Sequence, residues 1–69
     1  MSTIRTIILF GSQSARDAAR ILLENQPQIR RIDAQADTRT LRLIMSSPIE
    51  EISLIPLLSP SGISGFRLI

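Results

Sequence analysis

Ile7-Ile8-Leu9-Phe10-Gly11-Ser12-Gln13-Ser14-Ala15-Arg16-Asp17 reads as an apolar strand, a glycine-led loop and the capped start of a helix. Thr3 to Phe10 is rich in β-branched residues and stops at Gly11, which marks a strand over about 3–10. Ile7 to Phe10 is apolar on both faces, as suits a central strand. Ser14 is a natural N-cap, and Asp17, three residues on, would face the positive end of the helix dipole. The helix is expected over about 14–25. Ala15, Ala18, Ala19 and Leu22 form its core stripe, with Ile21 and Leu23 flanking it. Arg20 and Glu24 have the spacing of an i,i+4 pair. Asn25-Gln26-Pro27 ends the helix, because proline disfavours helical geometry in the residue before it.

Two alternating runs follow. Ile32, Ala34 and Ala36 alternate with polar residues in a strand expected over 29–36. Leu41, Leu43 and Met45 do the same over 40–46. The short Asp37-Thr38-Arg39 turn between them implies an antiparallel hairpin. Ser47-Pro48-Ile49-Glu50 has the pattern of a capping box with proline at the first helical position, so a second helix is expected over 48–58. Pro56 should bend or break it. After Ser59-Pro60-Ser61-Gly62, the residues 65–69 read as a last strand. The order β-α-β-β-α-β predicts an α+β ferredoxin-like sandwich: a four-stranded antiparallel sheet with two helices on one face.

With 69 residues, the chain is expected to form one domain (1–69) around a single small core. It has neither cysteine nor histidine, which removes disulfides, thiol chemistry and the usual zinc ligands. Hydrophobic residues make up 43%, but only two are aromatic, Phe10 and Phe66, so the core must be mostly aliphatic. The pI of about 11.2 accompanies a net charge of only +2 because all eight basic residues are arginine and there is no Lys, Tyr, His or Cys to titrate between the carboxylates and guanidinium. That pI is therefore weak evidence for a polyanionic partner. No apolar run is long enough to span a membrane, and the first residues lack signal-peptide character, so a cytoplasmic protein is expected.

Several residues together resemble the heavy-metal-associated (HMA-like) domain of copper chaperones and metal-transporting ATPases. That family places a Gly-Met-x-Cys-x-x-Cys loop between its first strand and first helix, where this chain has Gly11 to Asp17. Its Leu-Pro-Gly-Val step resembles Gln26-Pro27-Gln28-Ile29, its following valines Ile32 and Ala34, and its closing Gly-Tyr Gly65-Phe66. The resemblance spans nearly the whole chain and implies the same fold. Ser14 and Asp17 stand where the two metal-binding cysteines would be. A hydroxyl and a single carboxylate suit Cu(I) or Zn(II) poorly, and the only sulfurs are Met1 and Met45. No metal or other cofactor is expected.

Bland roles account for the remaining candidates. Ser14 and Asp17 are expected to serve as a cap and its helper, and the Gly11–Ser14 loop lacks the further glycines or lysine of a phosphate loop. Arg30, Arg31, Arg39 and Arg42 are interleaved with Asp33 and Asp37, which describes a solvated face. Two aromatics fall short of an RNA-stacking platform, so nucleic acid is not expected. Without histidine, cysteine or tyrosine, an enzyme is not expected either.

The functional expectation lies on the uncovered side of the sheet. If Ile7 and Leu9 face the helices, Ile8 and Phe10 face away. The same parity brings Ile44 beside them, with Arg42, Arg31 and Asp33 around the edge. Such a patch would serve a homodimer or a protein partner. Two other functions are compatible with the sequence: a metal carrier or sensor completed by a partner's ligands, and a small-ligand regulatory domain resembling the amino-acid-binding ACT type.

Overall fold

A computed structural model describes residues 3–35 and 39–69. Its elements are β1 (Thr3–Phe10), α1 (Gln13–Glu24), β2 (Ile29–Ala34), β3 (Thr40–Met45), α2 (Glu51–Leu58) and β4 (Gly65–Leu68), with a 3-10 turn at Ser59–Ser61 after α2. The sheet is four-stranded and antiparallel, in the order β2-β3-β1-β4, and both helices cover the same face. This is the expected ferredoxin-like α+β architecture. Ala36, Asp37 and Thr38, at the end of the expected second strand and in its turn, lie outside the described residues.

Period-2 burial along the central strands places the core. Ile7 and Leu9 of β1 and Leu41, Leu43 and Met45 of β3 are buried against Ala19 and Leu23 of α1 and Leu54 and Leu58 of α2. Among the described residues no polar or charged side chain is buried, so the core is held by apolar burial alone. Met45 sits inside it as a space-filling group.

The first helix, Gln13–Glu24, falls within a residue of the expected 14–25, but its cap lies two residues earlier than the sequence suggests. Ser12, not Ser14, is the N-cap: its hydroxyl accepts from the Ala15 amide at 3.2 Å, and its carbonyl accepts from the Arg16 amide at 3.0 Å. Gly11 makes this possible. Its φ of 135° turns the chain as soon as β1 ends, in a place where a Cβ would lie 3.1 Å from the Ser64 nitrogen. Asp17 consequently falls beyond the first helical turn, away from the free amides it was expected to face. The buried stripe of α1 is Ala15, Ala19 and Leu23; Ala18 and Leu22 are half-buried at its flank.

Two further details differ from the sequence pattern. β2 contains a bulge between Ile29 and Arg31, which lets Ile29 and Ile32, three residues apart, both face the core. The capping box at Ser47 is not formed. α2 begins at Glu51 with Glu50 in the cap position and no side-chain cap bond. Residues 46–50 carry the chain from the sheet up to the helical layer, and Ile49 packs against the core on the way. Pro56 lies inside α2, which continues to Leu58 before tightening into the 3-10 turn.

Candidate interaction surface

Strand register arranges the open face in rows. Arg31, Ile44 and Ile4 stand side by side across β2, β3 and β1. The next row is Asp33, Arg42 and Thr6, and the third is Thr40, Ile8 and Arg67 across β3, β1 and β4. Phe10 beside Gly65 closes the face at the β1 end. All five residues expected there, Ile8, Phe10, Ile44, Arg42 and Arg31, share this face by register. Their adjacency differs from expectation: Ile44 pairs with Ile4, and the Thr6–Arg42 row separates it from Ile8.

The sequence reading missed two members. Ile4 is 59% exposed and Ile69 is 64% exposed, against 44% for Phe10. Ile4 has the parity of Ile8 and Phe10, so alternation alone identifies it. Ile69 follows the parity of Arg67, and its amide donates to the Thr6 carbonyl at 2.9 Å, which ties the chain end to the same sheet.

Charges divide the apolar groups. Arg31 Nε donates to Asp33 Oδ1 at 2.7 Å along β2, an exposed pair that contributes little stability but holds both groups in place. Arg42 and Arg67 are exposed, and neither forms an ion pair among the described residues. Phe66 points away from this face, opposite Leu9 and against the core, leaving Phe10 as the open face's aromatic.

At the β1–α1 loop, Ser14 is exposed on the first turn of α1 with its hydroxyl 3.3 Å from that of Ser12. Asp17 is exposed on the same helix, beside a hollow lined by Leu9, Arg16, Arg20, Ala34 and Leu41. Met45 is buried in the core, away from this loop's surface, and Met1 lies outside the described residues. Among the described residues no three His, Cys, Asp or Glu side chains are grouped to hold a metal ion. No helix among them is long and apolar enough to cross a membrane. Comparison with protein-family models and with curated proteins finds no match to this chain.

Proposed function

We propose that this chain is a non-catalytic module that acts by protein contact through the open face of its sheet, in an HMA-like fold whose metal loop lacks thiols. The observation that carries this reading is the set of large apolar groups on one sheet face: exposed Ile4 beside half-buried Ile44 at one end, and half-buried Ile8 with exposed Phe10 at the other. A small monomer gains little by leaving such groups in water, and a partner that covers them adds to a core limited by chain length. Arginines around and between them supply a polar rim, and Arg is favoured at contact surfaces. The aliphatic character of the face supports a protein over a nucleic acid, since bases stack on aromatic rings.

The test is a comparison of the wild type with Phe10→Arg, by sedimentation over a wide concentration range and by isolation of tagged protein with its bound partners. The wild type should self-associate or retain a partner, and Phe10→Arg should do neither. A variant indistinguishable from wild type in both measurements rules the reading out.

A further inference from the structure

The two faces of this sandwich carry charge of opposite sign. Among the described residues, the open sheet face has Arg31, Arg42 and Arg67 against one carboxylate, Asp33, which Arg31 already engages. The helical side has Asp17, Glu24, Glu50 and Glu51 against Arg16, Arg20 and Arg5, the last opposite Leu43 on the core-facing side of β1. Glu24 lies 4.0 Å from Arg20, which leaves Asp17, Glu50 and Glu51 as the carboxylates outside that pair. Of the carboxylates described, all but Asp33 therefore sit on the helix side.

Both faces also leave apolar groups uncovered. On the helical layer these are Ile21 of α1 and Ile52 and Ile55 of α2, with Ile52 72% exposed. α2 is apolar almost all the way round: between Glu51 and Leu58 the only polar side chain is Ser53. A helix of that composition is ordinarily buried on more than one side. Leu54 and Leu58 are taken up by the chain's own core, and Ile52 and Ile55 are not.

A symmetric sheet-to-sheet pair would bring Arg42 and Arg67 of both copies into one interface, where the Asp33 carboxylates are already engaged. Desolvating like charges in this way opposes association. Setting the sheet of one copy on the helices of another matches arginine with carboxylate and isoleucine with isoleucine. We infer that the open sheet face of one copy docks on the helical layer of the next, a head-to-tail contact between copies of this chain. This inference rests on the open face being a contact surface and names what occupies it. Because the two docking surfaces lie on opposite sides of the molecule, a joined pair keeps one of each free. The contact does not close about a twofold axis and instead propagates.

Two single-face variants test this. Phe10→Arg removes an anchor from the sheet face, and Ile52→Arg places a cation on the acidic helical layer. The two altered faces both gain positive charge, so they cannot rescue each other. In sedimentation velocity the wild type should grow with concentration past a dimer and shrink as salt screens the contact. Each variant alone should be monomeric, and an equimolar mixture should form a discrete 1:1 pair. Circular dichroism checks folding, and Ile4→Arg with Ile55→Arg repeats the pair at other exposed positions. If Ile52→Arg still self-associates while Phe10→Arg does not, the contact is sheet-to-sheet: the head-to-tail inference fails and the contact surface stands. A wild type that stays monomeric at every concentration and salt also overturns the inference. The contact surface then stands only if the tagged chain retains a partner that Phe10→Arg loses.

Discussion

Ile4 of β1 stands directly opposite Ile44 of β3 on the uncovered face of the sheet. Directly opposed side chains in antiparallel strands are close enough to shield one another, so the two form a single apolar unit. The unit lies at one end of the face, and Ile8 and Phe10 lie toward the other. Contact energy should accordingly be concentrated in two places, with Arg42 between them. Where self-association or partner binding is seen, Ile4→Ala and Phe10→Ala should each weaken it, and Thr6→Ala should change it little. Titrations of the three variants check this.

The N-cap assignment separates two serines of equal local merit. Ser12→Ala should cost about 1 kcal/mol, because it removes the acceptor for the Ala15 amide. Ser14→Ala and Ser47→Ala should stay within about 0.5 kcal/mol, since neither position caps a helix. Urea denaturation of the three variants tests the ranking, and a larger loss at Ser14 than at Ser12 would refute it.

Gly11 and Gly65 should respond differently to a methyl group. Gly11→Ala combines a positive φ with a Cβ position 3.3 Å from the Ile63 Cα and should destabilise by more than about 1 kcal/mol. Gly65→Ala has nothing within 4 Å of the added carbon and should lie within about 0.5 kcal/mol of wild type. Thermal melts are sufficient to distinguish them.

The core stripe of α1 gives a third contrast. Leu23→Ala should lose about 2–5 kcal/mol, as expected for a fully buried leucine. A domain of this length has roughly 3–10 kcal/mol in total, so that loss removes a large share of its stability and should lower the melting temperature markedly. Leu22→Ala, at a half-buried position, should cost about 1 kcal/mol. A larger loss at Leu22 than at Leu23 would place the stripe where the sequence pattern alone puts it.

Ser14 and Asp17 lie three residues apart on α1, and side chains at that spacing are neighbours, with Cβ atoms about 5–6 Å apart. Replacing both with cysteine should create Cu(I) affinity, measured by competition with a Cu(I) chelator. The unsubstituted chain should bind Cu(I) and Zn(II) no more tightly than about the micromolar range, since it supplies neither thiolate nor imidazole. A double-cysteine variant with no gain would show that this loop differs in shape from the metal loop it resembles.

Much of this architecture is legible in the residues themselves. Alternation along Ile7-Ile8-Leu9-Phe10 and Leu41-Arg42-Leu43-Ile44 determines which side chains share a face, because successive residues of a strand must point to opposite sides. β-branched runs, alanine-rich spacing and proline punctuation determine the order of elements. From that order, short connections and right-handed crossovers lead to one sheet topology.

What the tertiary structure decided is position along and between those elements. Parity says that Ile44 and Ile8 share a face but not which residue each one meets; the pairing of β3 with β1 sets Ile44 against Ile4. The bulge that turns both Ile29 and Ile32 inward breaks simple alternation, and it is seen only once β2 pairs with β3. Ser12 and Ser14 offer nearly equal local hydrogen bonding, and the choice between them came from Gly11, packed against Ile63 and Ser64 some fifty residues later in the chain. Ser47 has the better capping pattern for α2, but residues 46–50 are used in crossing from sheet to helical layer. Side-chain direction and cap chemistry are local properties and can be read from neighbouring residues. Register, bulges and the choice among equivalent caps depend on contacts between distant segments, so they are settled only when the chain packs.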